Sequence, residues 1–166
     1  MDKRYLLILA VIILCGINLS IIVTNSDVVG SASVSVGKYL FSMPEGFDIS
    51  ENNGNSVVIQ NKDKVIIYFN TNLDSVDNYD NQLKSIDNTT TYKILSKGSL
   101  TIDNVKVDTV YYQNVNHTNI SVFYFEKENN PFKIVLSNFN YDNDRNATLN
   151  YITDIIQSTH LDYKSN

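Results

Sequence analysis

An uncharged apolar run over residues 5–23 constrains this chain more than any other feature. From Tyr5 to Val23 no residue carries a charge, and only Asn18 and Ser20 have clearly polar side chains. A helix needs about 20 apolar residues to cross the hydrocarbon layer of a membrane, and it satisfies its own backbone hydrogen bonds there. The run therefore predicts one N-terminal transmembrane helix.

The charges beside the run predict its orientation. Lys3 and Arg4 directly precede it, and basic residues stay on the cytoplasmic side of a membrane span. We therefore expect residues 1–4 in the cytoplasm and the rest of the chain outside. The alternative is a cleaved signal peptide, for which the Ser-Ala-Ser at 31–33 offers small residues well beyond the apolar run. Either way the C-terminal part is exported.

Charge and cysteine content exclude several classes of partner and site. The formal net charge is −5, and no basic cluster follows Arg4. Nucleic-acid binding depends on clustered Lys and Arg, so no nucleic-acid partner is expected. The single cysteine, Cys15, lies inside the apolar run, which leaves no intrachain disulfide and no cysteine-based metal site.

The hydrophobic periods predict a linker, one domain and a short tail. Residues 24–36 are small and polar and read as a linker whose last residues extend toward the first strand. Residues 37–162 form the predicted domain, and residues 163–166 the tail. Its elements follow the order β-β-β-α-β-β-β-β-α, with strands near 39–43, 57–60, 65–69, 91–102, 105–115, 119–127 and 132–139.

Two amphipathic helices interrupt these strands. Val76, Tyr79, Leu83 and Ile86 recur at helical spacing after the candidate N-cap Ser75. A second helix is predicted from near Asp144, and its apolar face carries Leu149, Ile152, Ile155, Ile156 and Thr159. The strands are joined by short turns at 103–104, 116–119 and 129–131, so neighbours should be antiparallel. The fold class predicted is α+β, an antiparallel β-sheet packed by two helices.

The start of the domain resembles that of a known family. In "YLFSMPEGF", Tyr39 and Phe41 form an aromatic strand that runs into the turn Pro44-Glu45-Gly46-Phe47. This stretch and the element order resemble the PsbP-like family of αβα sandwiches over roughly residues 37–160; many members have Trp where this chain has Phe47. The hairpin in "FYFEKENNPFKIVLS" is similar to the one before the family's last helix.

The resemblance implies a fold and no particular reaction. The membrane-anchored form looks like the exported PsbP-related proteins of methanogenic archaea. Relatives include photosystem subunits, binding modules and envelope proteins, so function must be argued from the site. The resemblance supplies no catalytic residues.

Four Asn-x-Ser/Thr triplets lie beyond the apolar run, and such triplets accept N-glycans outside the cytosol. The candidate acceptors are Asn88, Asn116, Asn119 and Asn146. The chain is so rich in Asn that chance accounts for their number. All four lie in predicted turns or at helix ends, where an acceptor is accessible.

Aromatic residues on two adjacent predicted strands offer an interaction surface. On a strand, alternate side chains point to opposite faces, so Tyr112 and Tyr124 either pack in a core or line an exposed face. If they line an exposed face, they form a surface for a protein partner.

Catalytic and metal-binding signatures are sparse. His117 lies in a predicted turn and His160 follows the last helix, and neither has a nucleophile nearby in sequence. The stretch 142–146 opens like a calcium loop, but Ala147 replaces the required Gly and Thr153 the required Glu. We therefore predict no catalytic residue, no cofactor and no metal ligand.

Three functions remain open from the sequence. The first is a non-enzymatic domain that is displayed outside the cell membrane on the helix Tyr5–Val23 and binds an envelope protein. The second is a module outside the membrane that binds a small ligand or metal, which an apolar pocket with converging polar groups would favour. The third is a hydrolase with a site assembled from scattered residues.

Overall fold

The computed structural model describes residues 32–71, 73, 79–87, 90–139 and 141–163. The predicted cytoplasmic residues 1–4, the membrane run 5–23 and the linker up to residue 31 lie outside them. The elements are β1 (Ser33–Val36), β2 (Tyr39–Ser42), β3 (Phe47–Asn52), β4 (Ser56–Asn61), β5 (Ile66–Asn70), α1 (Tyr79–Asp87), β6 (Tyr92–Ile102), β7 (Val105–Asn114), β8 (Asn119–Lys127), β9 (Asn130–Ser137), α2 (Tyr141–Ser158) and β10 (His160–Leu161). Of the helices described, none is long and apolar enough to span a membrane.

A seven-stranded sheet organises the domain. Its strand order is β3-β4-β5-β9-β8-β7-β6, and every neighbouring pair is antiparallel. The meander β6 to β9 joins the earlier strands through the pairing of β5 with β9. Strands β3 and β6 therefore form the two edges.

The hairpin turns show why Asn and Asp punctuate the sequence. Asp103 and Asn104 both have positive φ in the two-residue turn between β6 and β7, as the right-handed twist of a hairpin requires. Between β8 and β9 the positive-φ residues are Glu128 and Asn129. This turn is earlier than the predicted 129–131, because proline cannot adopt positive φ, and Pro131 instead pairs with Glu126 inside the hairpin.

A second, three-stranded sheet has the order β1-β2-β10. Strand β2 is the predicted aromatic strand, with Tyr39 and Phe41 buried. It leads into the turn in which the N–H of Phe47 donates to the carbonyl of Pro44 and Gly46 has a φ of 80°. The predicted linker 24–36 is wrong for residues 33–36, because Val34 and Val36 are buried and β1 belongs to the compact unit Ser33–Asn166.

The larger core lies between one face of the seven-stranded sheet and α2 with the small sheet. Its centre is aromatic: the rings of Phe69 and Phe132 stack at 5.7 Å, and those of Phe125 and Phe132 at 5.0 Å. Ile152, Ile155 and Ile156 of α2 are fully buried against it. The predicted apolar face of the second helix is therefore its packing face.

The smaller core lies on the opposite face of the same sheet. Neighbouring residues on one strand enter different cores: Tyr111 belongs to the larger core and Tyr112 to the smaller one. In the smaller core, Ile86 of α1 is buried, and Tyr79 and Leu83 pack beside it. One helix on each face confirms the predicted antiparallel sheet packed by two helices.

The start of the second helix differs from the predicted one, whereas the predicted start of the first helix stays a prediction. Helix α1 begins at Tyr79, and the predicted residues Ser75 and Val76 lie outside the described residues. Helix α2 begins at Tyr141 rather than near Asp144. The backbone from 142 to 153 is therefore helical where a calcium loop would need an irregular path.

Candidate functional site

Tyr112 and Tyr124 are buried, so of the two arrangements that the sequence left open they adopt core packing and do not form the candidate interaction surface. Each is 7% exposed. The ring of Tyr92 packs edge-on against Tyr112 at 5.2 Å, and that of Tyr79 against Tyr124 at 6.0 Å. Burial, with a smaller contribution from Tyr92, raises the pKa of Tyr112 to about 12. These tyrosines stabilise the smaller core because helix α1 covers their face of the sheet.

The side chain of Asn114 and two backbone hydrogen bonds close the loop between β7 and β8. The Asn114 Oδ1 accepts hydrogen bonds from the backbone N–H groups of Asn116 and Thr118, each at 2.9 Å. His117 has a φ of 60°, a conformation that costs little for a residue in such a turn. The predicted tip is thus a compact loop with Val115, Asn116 and His117 exposed.

Asn119, the next candidate acceptor, is held on both sides of its amide. Its Nδ2 donates to the carbonyl of Phe139 at 3.3 Å, and its Oδ1 accepts from Gln113 Nε2 at 3.1 Å. The side chain therefore ties the start of β8 to the segment that leads into α2. Asn146 is exposed on α2, and Asn88 lies outside the described residues.

The loops at this end of the sheet surround an open cleft, named here the loop cleft. Its volume is about 620 Å³, and it is lined by Asp63, Lys64, His117, Thr118, Asn119, Asn138 and Phe139. Lys64, His117 and Asn138 all have positive φ, so three tight turns meet here. The lining contains acidic, basic and uncharged polar side chains, which can form hydrogen bonds with a small ligand.

The two histidines make local contacts. His117 Nδ1 lies 3.5 Å from Gln113 Oε1, and His160 Nδ1 lies 2.6 Å from the carbonyl oxygen of Ser158. Within the described ranges, no group of three His, Cys, Asp or Glu side chains is placed to hold a metal ion.

Three exposed apolar residues, Tyr92, Leu95 and Val115, lie near the beginning of β6 and are named here the apolar corner. These residues are 39%, 37% and 63% exposed. Tyr92 pairs with Asn114, the residue before Val115, and Leu95 is the extra residue of a bulge between Ile94 and Ser96. The extra residue of a bulge has no partner on the neighbouring strand, so the Leu95 side chain does not follow the regular alternation of β6.

Basic side chains flank the apolar corner. Lys93 and Lys97 are exposed on β6, and β6 contains no acidic residue. This strand is therefore a cationic stretch on a chain whose formal net charge is −5. Because β6 pairs only with β7 in the described part of the chain, its outer edge is available to another strand.

Known proteins resemble this chain in fold rather than in sequence. No protein-family model matches the chain, and no curated protein matches its sequence. Its structure is similar to that of cyanobacterial PsbP (CyanoP) from Synechocystis, with 16% identity and a TM-score of 0.45, covering 81% of this chain and 94% of that one.

Two further solved structures are similar to it. A protein from Bacteroides thetaiotaomicron has 12% identity and a TM-score of 0.50, and the match covers 82% of this chain but 50% of that chain. A Pseudomonas aeruginosa protein of unknown function has 9% identity and a TM-score of 0.43, covering 75% of this chain and 94% of that one. These similarities concern the fold alone.

The apolar corner was missed by reasoning from the sequence. The signal was present in "YKILSK", where Ile94 and Leu95 are adjacent apolar residues in a strand of alternating character. Two consecutive apolar residues in such a strand indicate either a strand buried on both faces or a bulge. Only the pairing of β6 with β7 distinguishes these cases.

Proposed function

We propose that this chain is a non-enzymatic binding domain of the PsbP-like type, displayed outside the cell membrane on the helix Tyr5–Val23, and that it binds another envelope protein. The uncharged run and the preceding Lys3 and Arg4 support the placement. The opening turn "MPEGF" and the order of the elements support the family. The observation that carries the binding role is the apolar corner on an edge strand.

The partner that fits this corner presents an extended, acidic segment to β6. An edge strand exposes a row of backbone N–H and C=O groups that a further strand can pair with. Lys93 and Lys97 favour acidic side chains on that strand, while Tyr92, Leu95 and Val115 offer apolar contact area. The lysines would repel the same strand of a second copy of this chain, which favours a different, acidic partner.

A photo-crosslinking amino acid at position 95 tests this binding role in intact cells. We expect a specific adduct from position 95 and none from position 49, because Ile49 is also exposed, at 49%, but lies on the opposite edge strand β3. Charge reversal by Lys93→Glu and Lys97→Glu should reduce the adduct, whereas Lys62→Glu in the exposed β4–β5 turn should not. The same adducts from positions 49 and 95 would refute the proposal.

Protease accessibility tests the placement separately. Protease added to intact cells should digest the domain, since we place it outside. If the domain is digested only after the cells are lysed, the proposed topology is wrong, whatever the crosslinking shows.

The loop cleft supports a second candidate function, binding of a small polar ligand. The observation behind this candidate function is that Asp63, Lys64, His117 and Asn138 all line one cleft. A ligand that binds the native state raises the melting temperature. Screening polar metabolites against the full chain, with Lys64→Met as a site variant, should then show a shift that the variant loses.

A further inference from the structure

Three of the four glycan-acceptor triplets lie within the described residues, and the fold treats them differently. The triplet requires an Asn amide and a hydroxyl residue two positions later. A transferase that acts on the folded chain must therefore reach both side chains. Exposure of the amide alone does not make a triplet competent.

The triplet at Asn119 fails on both side chains. Asn119 Nδ2 donates a hydrogen bond to the carbonyl oxygen of Phe139, and Asn119 Oδ1 accepts one from Gln113 Nε2. Ser121 is fully buried, and its Oγ has no hydrogen-bond partner among the described residues. Since β8 is paired with both β7 and β9, reaching Ser121 requires removal of a central strand from the sheet.

The triplet at Asn146 fails on its hydroxyl. Asn146 is exposed, but Thr148 is only 2% exposed, facing inward from α2. The backbone is helical throughout the triplet. Helical backbone turns residues two positions apart to different sides, so the amide and the hydroxyl cannot be reached from one direction.

The triplet at Asn116 meets both requirements. Asn116 is exposed, and its hydrogen bond to Asn114 Oδ1 comes from its backbone N–H rather than from its side chain. Thr118 is half-buried and lies in the loop, outside both strands. Asn114 holds the loop through hydrogen bonds to backbone groups of Asn116, His117 and Thr118, so a group attached to the Asn116 side chain leaves these bonds in place.

We propose that Asn116 is the glycan acceptor of the folded chain and that the fold blocks Asn119 and Asn146. The donor is a glycan carried on a polyprenyl phosphate. A bond forms between Asn116 Nδ2 and the anomeric carbon while the bond from that carbon to the phosphate oxygen breaks. The polyprenyl phosphate leaves with the electron pair of that bond and accepts the proton that the amide loses. The modification in the cell rests on the proposed display outside the membrane.

The test uses the purified full chain in detergent with a single-subunit oligosaccharyltransferase that accepts the bare triplet, and a polyprenyl-phosphate glycan donor. Site occupancy is measured by peptide mass spectrometry. The folded chain is compared with a proteolytic digest of the same chain, in which all triplets are accessible. Asn116→Gln removes the proposed acceptor, and Asn146→Gln is the matched control on an exposed position.

On the folded chain we expect modification at Asn116 at least about tenfold faster than at Asn119 or Asn146, because these two react only through local unfolding. In the digest the sites should become comparable. Asn116→Gln should leave only the slow modification of Asn119 and Asn146 in the folded chain, and Asn146→Gln should not reduce modification at Asn116.

Two outcomes would overturn the inference. One is modification of the folded chain at Asn119 or Asn146 as fast as at Asn116. The other is an Asn116 that reacts in the digest and not in the folded chain. Neither depends on topology, so failure here is distinguishable from failure of the proposed placement, which protease accessibility tests.

Discussion

At the residue scale, Lys127 connects the central sheet to the end of α2. Its Nζ donates to the carbonyl oxygens of Ile156 at 2.9 Å and Gln157 at 3.0 Å. The last carbonyls of a helix have no partner within the helix and carry the negative end of its dipole. The Lys127 ammonium group therefore supplies hydrogen bonds to these carbonyls and a positive charge at the negative end of the helix dipole.

Replacing Lys127 with Met should lower the free energy of unfolding by about 1–2 kcal/mol, because the apolar stem stays and the charged donor is lost. Urea denaturation of the full chain in detergent, followed by far-UV circular dichroism, measures the change. Lys62→Met, in the exposed β4–β5 turn, is the matched control and should change stability by less than about 0.5 kcal/mol. Equal effects of the two variants would contradict the capping role.

Residue chemistry was predictable where it is local. Asp103 and Asn104 were expected in a turn, and both have the positive φ that such a turn needs. The different fates of Ser121 and Thr118 were not predictable, although both end an acceptor triplet. Ser121 is buried by its neighbours on two other strands, and that burial depends on pairing across the sheet.

At the scale of elements, β1 shows how a strand can be mistaken for a linker. Ser33–Val36 is short, with small residues between its valines, and its burial pattern alternates exposed and buried. Two buried valines are too few to signal a strand against a small, polar background. They become structural because β2 pairs with β1 and places them over the larger core.

Val36→Ala should therefore destabilise the domain by about 2 kcal/mol, since Val36 is fully buried and a cavity would remain. Ser35→Ala, at the exposed neighbouring position, should have little effect. Thermal or urea unfolding of the full chain measures both. If Val36→Ala were as stable as Ser35→Ala, β1 would not contribute to the stability of the domain and the linker prediction would hold for this segment.

Strand β3 was missed for a different reason. Its sequence, "FDISEN", buries only Phe47, and the remaining residues are exposed. An edge strand with a bulge between Ile49 and Glu51 needs no alternating apolar face. Its position depends on backbone pairing with β4, which leaves little trace in composition.

At the scale of the whole molecule, the two cores are inseparable because they share strands. On β8, Val122 packs in the smaller core and Phe123 in the larger one. Loss of either core exposes the apolar residues of one face of the same sheet. The two cores should therefore unfold together.

The variant Tyr79→Trp tests this cooperativity. The chain has no other Trp and Tyr79 packs in the smaller core, so tryptophan fluorescence would report the unfolding of that core. We expect the fluorescence transition to coincide with the far-UV circular dichroism transition, and Val36→Ala, in the larger core, to shift both equally. As a control, Tyr79→Trp alone should have the same urea midpoint by circular dichroism as the unsubstituted chain. A fluorescence transition at lower urea would mean that α1 unfolds separately.

The sequence by itself determined the features that depend on neighbours along the chain. These are the apolar run over residues 5–23, the strand and helix periods, the turns rich in Asn, and an antiparallel sheet packed by two helices. Each depends on the chemistry of a few consecutive residues, which the sequence displays directly.

Only the tertiary structure decided which residues face solvent. In the folded chain, Tyr112 and Tyr124 are buried beneath α1, and Leu95 is exposed at a bulge. Ser121 and Thr148 are buried, whereas Asn116 is exposed. Alternation along a strand gives two faces but does not say what covers each face. That depends on contacts between segments far apart in the chain.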